Sequence, residues 1–255
     1  MVIEHNKIYN MDCLEGMKDI PSKSIDCIIC DLPYEVLNKG NKNAQWDVVI
    51  PMDRLWEQYE RVIKDNGAII LFGQGMFTAT MMMSNPEMWR YNLIWKKGNR
   101  PTGFLNSKRM PLRCHEDIMV FYKQLPTYNP QMIPGAVNHT RGTMKGKVKN
   151  QCYGVFDPSK CDDDLSGMKY PISIIDIEKE HDSTVFHPTQ KPVELIEWLI
   201  KTYTNEGEVV LDNCMGSGTT AVACQNTGRE FIGFELNKEY YDKSIVRIES
   251  SKGLW

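Results

Sequence analysis

Two short stretches carry residues whose types and spacing could do chemistry. In the first, Ile28–Tyr34 ("IICDLPY"), an apolar run ends in a carboxylate, a proline and a tyrosine. The apolar run predicts a buried strand, so a carboxylate and an aromatic ring follow directly after the end of this strand. Taken alone, such a turn is more often a plain strand terminator than a site, because Asp and Pro both favour turns.

The second stretch, Val209–Cys224 ("VVLDNCMGSGTTAVAC"), places Asp212 after an apolar run, with Gly216 and Gly218 before a helix. Glycines there let a ligand approach the backbone at the helix N-terminus. No lysine follows the last glycine, which excludes a Walker loop, and the third glycine of the dinucleotide fingerprint is absent. Glu235 ends the next apolar run, where an acid can accept hydrogen bonds from ribose hydroxyls. A tight turn with an unrelated surface acid is the alternative.

Strands that alternate with helices along most of the chain predict an α/β domain with a mostly parallel sheet. The predicted strands are Lys7–Met11, Ile25–Cys30, Ala68–Phe72, Tyr91–Trp95, Ile118–Tyr122, Glu208–Leu211 and Phe231–Phe234. The predicted helices are Asp53–Lys64 with Asp53 as its cap, Met76–Met83, one that begins at Pro192, Thr219–Gln225 and Lys238–Ser250.

Residues 125–182 break this alternation, because they are rich in Pro, Gly, Asn, Lys and Asp and show weak periodicity. A chain of 255 residues fits one sizeable domain with a small insertion. The sequence therefore predicts two halves of one α/β domain, 1–124 and 183–255, separated by an insertion at 125–182.

Charge is segregated along the chain, although its net value is only -3. Residues 89–149 carry twelve Lys or Arg against Glu116 and Asp117, a net charge of +10, and the two flanks are acidic. This segregation indicates a polyanionic partner for the middle of the chain. A solvated basic face without a ligand is the alternative.

Composition favours a cytoplasmic protein. No apolar run approaches the roughly 20 residues that span a bilayer, and the first residues do not resemble a secretory signal. Cys27 and Cys30 would point to opposite faces of a strand, so they predict reduced structural thiols and no metal site. A site that uses Cys152 or Cys161 stays open.

Four motifs in a particular order resemble one family. "DLPY" at Asp31–Tyr34, "HPTQKP" at His187–Pro192, "DNCMGSGTT" at Asp212–Thr220 and "GFELNKEYY" at Gly233–Tyr241 follow one another along the chain. This set is similar to the β-group of S-adenosylmethionine-dependent DNA amino-methyltransferases, in which the catalytic motif precedes the cofactor motif. The resemblance implies a Rossmann-like methyltransferase fold with circularly permuted motifs and a target-recognition insertion.

For catalysis, the resemblance implies that the enzyme flips a base out of the DNA and holds it at the Asp31–Tyr34 motif. The carboxylate of Asp31 and the carbonyl of Leu32 would accept hydrogen bonds from the exocyclic amine. Tyr34 would stack on the ring, and Pro33 would stiffen the turn. Two acceptors favour a pyramidal nitrogen whose lone pair can attack the methyl group in line.

For the cofactor, the resemblance implies contacts from both ends of the chain. Asp12 and Cys13 would face the adenine, and Glu235 the ribose. Asp212, Gly216 and Gly218 would meet the methionine moiety, and His187, Thr189, Gln190 and Lys191 would hold its amino-acid end. Asn213 and Thr219 are further expected cofactor contacts. The family often has Pro and Phe where this chain has Asn213 and Cys214, and Pro where it has Leu32.

DNA contacts are expected from the basic segment, with phosphates as the main targets. The predicted contacts are Arg100, Lys108, Arg109, Arg113, Arg141, Lys145, Lys147 and Lys149. The loop Glu35–Trp46 could close over a flipped base or be a plain surface loop.

Several substrates stay open at this point. An Asp at the head of the catalytic motif favours adenine in this family, where Ser would suggest cytosine. Cytosine-N4, RNA and single-stranded DNA are alternative targets, and a catalytically silent DNA-binding subunit is an alternative of another class. The sequence does not decide between a monomer and a homodimer, nor whether a restriction partner exists.

Overall fold

The computed structural model describes residues 2–34, 48–135, 147–152, 154–156, 167–180, 185–187 and 189–251. Its strands are β1 (Lys7–Tyr9), β2 (Ile25–Cys30), β3 (Ile63–Gly73), β4 (Trp89–Lys96), β5 (His115–Phe121), β6 (Ile133–Pro134), β7 (Val148–Asn150), β8 (Gly154–Phe156), β9 (Met168–Lys169), β10 (Ile174–Asp176), β11 (Val209–Asp212) and β12 (Glu230–Phe234). Its α-helices are α1 (Cys13–Met17), α2 (Met52–Val62), α3 (Met76–Ser84), α4 (Val193–Tyr203), α5 (Thr219–Thr227) and α6 (Lys238–Ser251).

Eight strands form one sheet in the order β1-β12-β11-β2-β3-β5-β4-β10. Neighbours are parallel throughout, except that β5 runs antiparallel to both β3 and β4. This mostly parallel sheet confirms the predicted Rossmann-like α/β fold. Because β2 and β11 are parallel neighbours, the residues that follow them meet at one edge of the sheet.

Helices cover both faces of the sheet, which explains why its central strands are apolar without alternation. In β2, Cys27 and Ile29 belong to the core that includes residues of α4, α5 and α6. Ile28 and Cys30 face the opposite core, which includes residues of α1, α2 and α3. All six residues of β2 are buried. The strand that precedes the turn Asp31–Tyr34 is therefore held from both sides.

Several predicted elements have different ends in the structure. The prediction that Asp53 caps α2 is wrong, because the helix begins at Met52 with Pro51 at the cap position and Asp53 in its first turn. Proline suits a helix start, where a backbone N–H would have no partner. The strand predicted from Ala68 begins at Ile63. Neither α1 nor β10 was predicted.

A smaller compact unit, residues 130–172, lies within the predicted insertion. It contains two short antiparallel pairs, β6 with β9 and β7 with β8. The larger unit comprises residues 1–129 and 173–255, so β10 belongs to the main sheet. The role of the insertion in target recognition stays a prediction.

Gly16 allows α1 to approach the sheet, and we expect Gly16→Ala to destabilise the fold. A Cβ there would lie 2.2 Å from Cε1 of the Phe234 ring, a contact that requires α1 or β12 to move. Such overpacking costs about 1–3 kcal/mol of unfolding free energy, which urea denaturation measures. Glu15→Ala, at an exposed position in the same helix, is the control and should change stability by about 0.5 kcal/mol or less. Equal stability of the two variants would contradict the close approach.

Candidate active site

A cavity of about 620 Å³ opens where β2 and β11 end. It is lined by all four residues predicted to be catalytic, Asp31, Leu32, Pro33 and Tyr34. It is also lined by the predicted cofactor residues Asp12, Cys13, His187, Thr189, Gln190, Lys191, Asp212, Asn213, Gly216, Thr219 and Glu235. Gly218 is the exception and serves as the N-cap of α5, with φ +77°. The fold thus brings the separate motifs to one site.

Both carboxylate oxygens of Asp31 have partners. The Tyr34 hydroxyl donates to Oδ1 at 2.5 Å, and the Lys191 ammonium donates to Oδ2 at 2.5 Å. Burial raises the pKa of Asp31, and the positive charge of Lys191 offsets part of this rise. The Tyr34 ring lies against Phe77, with ring centroids 4.4 Å apart. Asp31 is thus a buried carboxylate whose charge depends on its counter-ion.

Lys191 connects Asp31 to a second buried carboxylate. Its Nζ lies 3.3 Å from Oε2 of Glu116, and Lys97 donates to the other oxygen of Glu116. The two ammonium groups also lie over aromatic rings, Lys191 above Phe72 at 4.9 Å and Lys97 above Trp95 at 5.3 Å. Two positive and two negative charges balance here, which makes their burial tolerable.

Sequence reasoning missed Glu116 and Lys97 as members of the site. A signal was present, because Glu116 is one of only two acids in the strongly basic segment 89–149. An acid that is isolated among cations often marks a specific ion pair. The contact between Lys191 and Asp31 was not predicted either, since the two residues are 160 positions apart.

The glycine turn after β11 is held by two acids. Glu235 accepts from the backbone N–H of Gly216 at 2.7 Å and from that of Asn237 at 2.7 Å, and burial raises its pKa. Asp212 accepts from Cys214 N–H at 3.0 Å and from the Thr220 hydroxyl at 2.6 Å. Burial raises the pKa of Asp212 to about 6. These bonds shape the backbone into an open turn.

His187 and residues 189–191 line the cavity together with this turn. Burial, with a smaller effect of Lys191, lowers the pKa of His187 to about 4, so its ring is neutral at pH 7. The His187 ring packs edge-on against Tyr240 with centroids 4.3 Å apart. Gln190 donates to Glu180 at 2.5 Å, whereas its carbonyl Oε1 is buried without a hydrogen-bond partner among the described residues. An orphaned acceptor in a cavity wall is suited to a donor on a ligand.

Asn213 and Asp12 have structural partners inside the cavity wall. The buried hydroxyl of Tyr59 donates to Oδ1 of Asn213 at 2.6 Å, and Nδ2 of Asn213 lies 3.6 Å from the sulfur of Cys13. Asp12 caps α1, since its Oδ1 accepts from the N–H groups of Leu14 and Glu15. Asn213 thus joins α2 to the turn after β11, which accounts for a polar residue at this departure from the family pattern.

Four of the predicted DNA contacts lie on the exposed connection between β4 and β5: Arg100, Lys108, Arg109 and Arg113. Arg113 also lines the cavity and donates to Gln74 at 2.6 Å. Lys147 and Lys149 are exposed in the smaller unit. Arg141, Lys145, Cys161 and the loop Glu35–Trp46 lie outside the described residues.

Two further features concern only the described part of the chain. It contains no helix that is both long and apolar enough to cross a bilayer. It also brings together no group of three or more His, Cys, Asp or Glu side chains that could hold a metal ion.

Comparison with known proteins gives a consistent result. A DNA methylase family model matches residues 25–246. Type II methyltransferase M.BglII of Bacillus subtilis is 28% identical over 258 residues, which cover 93% of this chain and 67% of the relative. Type II methyltransferase M.HpaI of Haemophilus parainfluenzae is 27% identical over 252 residues, which cover 94% and 73%.

Solved structures agree in fold. The M1.HpyAVI–SAM complex aligns with a TM-score of 0.63 and 26% identity, covering 95% of this chain and 98% of that one. PvuII DNA methyltransferase, described as cytosine-N4-specific, aligns with a TM-score of 0.65 and 16% identity, covering 99% and 92%. The second likeness concerns the fold alone.

The buried neutral ring of His187 predicts a specific loss of stability in acid. Below pH 6.5 the unfolded chain binds a proton on this imidazole that the folded chain does not bind until about pH 4. The free energy of unfolding therefore decreases as the pH is lowered through this window, by about 2 kcal/mol between pH 7 and pH 5 for this group. Urea denaturation should show that His187→Gln loses less stability than the wild type over that interval. An equal loss in both proteins would contradict the neutral ring.

Proposed function

The chain belongs to the DNA methylase family, whose members transfer a methyl group from S-adenosylmethionine to an amine of DNA, and on that premise we propose that its target is the N6 amine of adenine. The observation that carries the proposal is Asp31, a buried carboxylate that faces the cavity at the head of the catalytic motif. In this family pattern an acid at that position accompanies adenine.

The cavity residues fit S-adenosylmethionine. When bound, this cofactor supplies a methyl group on a positively charged sulfur. We assign the orphaned Oε1 of Gln190 to an ammonium donor such as the one at its amino-acid end. Glu235 is assigned to the ribose hydroxyls, and Asp12 with Cys13 to the adenine.

The remaining assignments follow the lining of the cavity. The methionine moiety is given to Asp212, to Gly216, and to His187 and Thr189, and Asn213 and Thr219 are given to the cofactor without a particular moiety. Gly218 does not line the cavity, and it is given the backbone turn before α5 on which this side of the cofactor would rest. The sequence prediction gave Lys191 to the cofactor, whereas we assign its side chain to two carboxylates. Its ammonium engages Asp31 and Glu116, while its carbonyl accepts from the Thr219 hydroxyl at 3.3 Å.

Asp31 and the Leu32 carbonyl act on the flipped base as hydrogen-bond acceptors. Since the Tyr34 hydroxyl occupies Oδ1 of Asp31, the target amine takes that position when the ring turns to stack on the base. Lys191 keeps Oδ2 and holds the carboxylate ionised and oriented. Positioning and charge stabilisation therefore supply the catalysis, and no strong base has to act before transfer.

DNA binding is assigned to the basic residues. Arg100, Lys108, Arg109 and Arg113 lie on the connection between β4 and β5, where Arg113 also lines the cavity, and their exposure supports phosphate contacts. Residues 125–182, with the exposed Lys147 and Lys149, are proposed to contribute target recognition. Residues 1–124 and 183–255 then form the catalytic and cofactor halves.

The direct test is transfer of labelled methyl from S-adenosylmethionine to plasmid DNA, followed by nucleoside analysis. We expect N6-methyladenine from the wild type and a loss of at least about a hundredfold in Asp31→Ala, because an acceptor aimed at the reacting amine is removed. Asp65→Ala, which removes an exposed carboxylate outside the site and outside residues 125–182, is the control and should retain activity.

The same assay distinguishes the alternatives. Label recovered as N4-methylcytosine would show that the target is cytosine and not adenine. Parallel reactions with denatured DNA and RNA report the substrate class. Absence of transfer to every nucleic acid would overturn the proposal.

The buried charges also predict opposite pH effects for two variants. In Lys191→Met, burial still raises the pKa of Asp31, but the counter-ion that opposes this rise is gone. The acid limb of the kcat profile should therefore move up by about one pH unit or more. Glu116→Gln removes a like charge near Asp31, so that limb should move to lower pH. Limbs that stay in place, or that move in the same direction, would contradict a role of these residues in setting the charge of Asp31.

A further inference from the structure

Two large apolar side chains are exposed next to each other on the connection between β4 and β5. Phe104 is 73% exposed and Leu105 is 85% exposed, on a short 3-10 turn, Phe104–Asn106. Met110 and Leu112 follow on the same connection with 51% and 41% exposure. Adjacent exposed apolar side chains of this size indicate a binding surface, because leaving them in water costs free energy.

Phe104 and Leu105 are called the apolar tip below. The charged side chains around this tip favour a polyanion as its partner. Residues 98–114 contain Arg100, Lys108, Arg109 and Arg113 and no acidic residue. All four cations are exposed. A protein surface that combines a positive field with large apolar side chains suits DNA, whose phosphates attract the cations and whose base stack accepts an apolar group.

The tip follows closely, along the chain, on residues that line the cavity. Thr102 and Arg113 both line the cavity and pair with each other, with N–H to carbonyl distances of 2.7 and 3.0 Å. Phe104 follows Thr102 by two residues, which span at most about 7 Å. The apolar tip therefore begins within about 7 Å of Thr102, a residue that lines the cavity.

The tip is also preorganised. Gly103 adopts φ +86°, a conformation that a side chain would disfavour, and reverses the chain just before the turn. Backbone N–H groups of Asn106 and Arg109 donate to the carbonyls of Gly103 and Asn106 at 2.9 and 2.8 Å. A rigid tip loses little conformational entropy on insertion into a partner.

We propose that Phe104 and Leu105 form a wedge that enters the DNA base stack at the position from which the target base is extruded. The inference rests on the proposed function, since a flipped base leaves a gap that exposes the faces of its neighbours. Apolar side chains inserted there replace part of the lost stacking. The basic residues hold the backbone, and the wedge lowers the cost of the open duplex.

The test compares paired and unpaired targets. The modified site is first mapped by sequencing plasmid DNA that the wild type has methylated. Two synthetic duplexes then carry this site, one fully paired and one with an abasic position opposite the target base, which lowers the cost of extrusion. Single-turnover methyl transfer is measured on both for the wild type and for the double variant Phe104→Ala, Leu105→Ala.

We expect the double variant to be at least about tenfold slower than the wild type on the paired duplex, which corresponds to about 1.4 kcal/mol. On the duplex with the abasic position, the two proteins should agree to within about twofold. Val246→Ala is the matched control, because Val246 is 63% exposed on α6, outside both this connection and the segment proposed for target recognition, and should leave both rates unchanged.

Other outcomes separate the inference from the proposed function. If the double variant loses rate equally on both duplexes, or on neither, the wedge is overturned. The proposed function stands in that case, because the wild type still transfers methyl to DNA. Unchanged rates with dimerisation that the double variant abolishes, measured by sedimentation, assign the patch to a second copy of the chain. A wild type that transfers no methyl to any nucleic acid overturns the proposed function and the wedge with it.

Discussion

The buried ion pair between Asp31 and Lys191 is the interaction on which the site depends. It joins residues that are 160 positions apart and places the turn Asp31–Tyr34 against Lys191, close to the glycine turn. Two buried charges cost several kcal/mol of desolvation each, so such a pair persists only with good geometry and further partners. Glu116 and Lys97 supply those partners and leave the group electrically neutral. The arrangement therefore stabilises an ionised carboxylate inside an apolar fold.

The sheet makes this contact available. Parallel pairing of β2 with β11 places the ends of both strands at one edge, although the strands come from opposite halves of the chain. The antiparallel strand β5 then carries Glu116 to the same edge from the reverse direction, because Glu116 lies near its amino-terminal end. One reversed strand thus adds an acid to a site that parallel strands alone would supply only from their carboxyl ends.

The turn after β11 shows how local bonds replace a family feature. Where Pro and Phe are common, this chain has Asn213 and Cys214, and Asn213 is held by the buried Tyr59 hydroxyl. The polar residue joins a helix on one face of the sheet to the cofactor side of the cavity. At this one position the cavity wall is therefore held by a hydrogen bond instead of by ring packing.

The sequence by itself determined the fold class, the order of the motifs and the position of the turn Asp31–Tyr34 at the end of a buried strand. Those features depend on local periodicity and on contiguous motifs, such as the apolar run that ends at Asp31. It could not show that Glu116 and Lys97 belong to the site, or that the Lys191 ammonium engages Asp31. It also missed β10 and the start of α2 at Met52. These features depend on contacts between distant segments, so only the tertiary structure decides them. A buried charge pairs with the opposite charge that the fold brings next to it, whatever their separation along the chain.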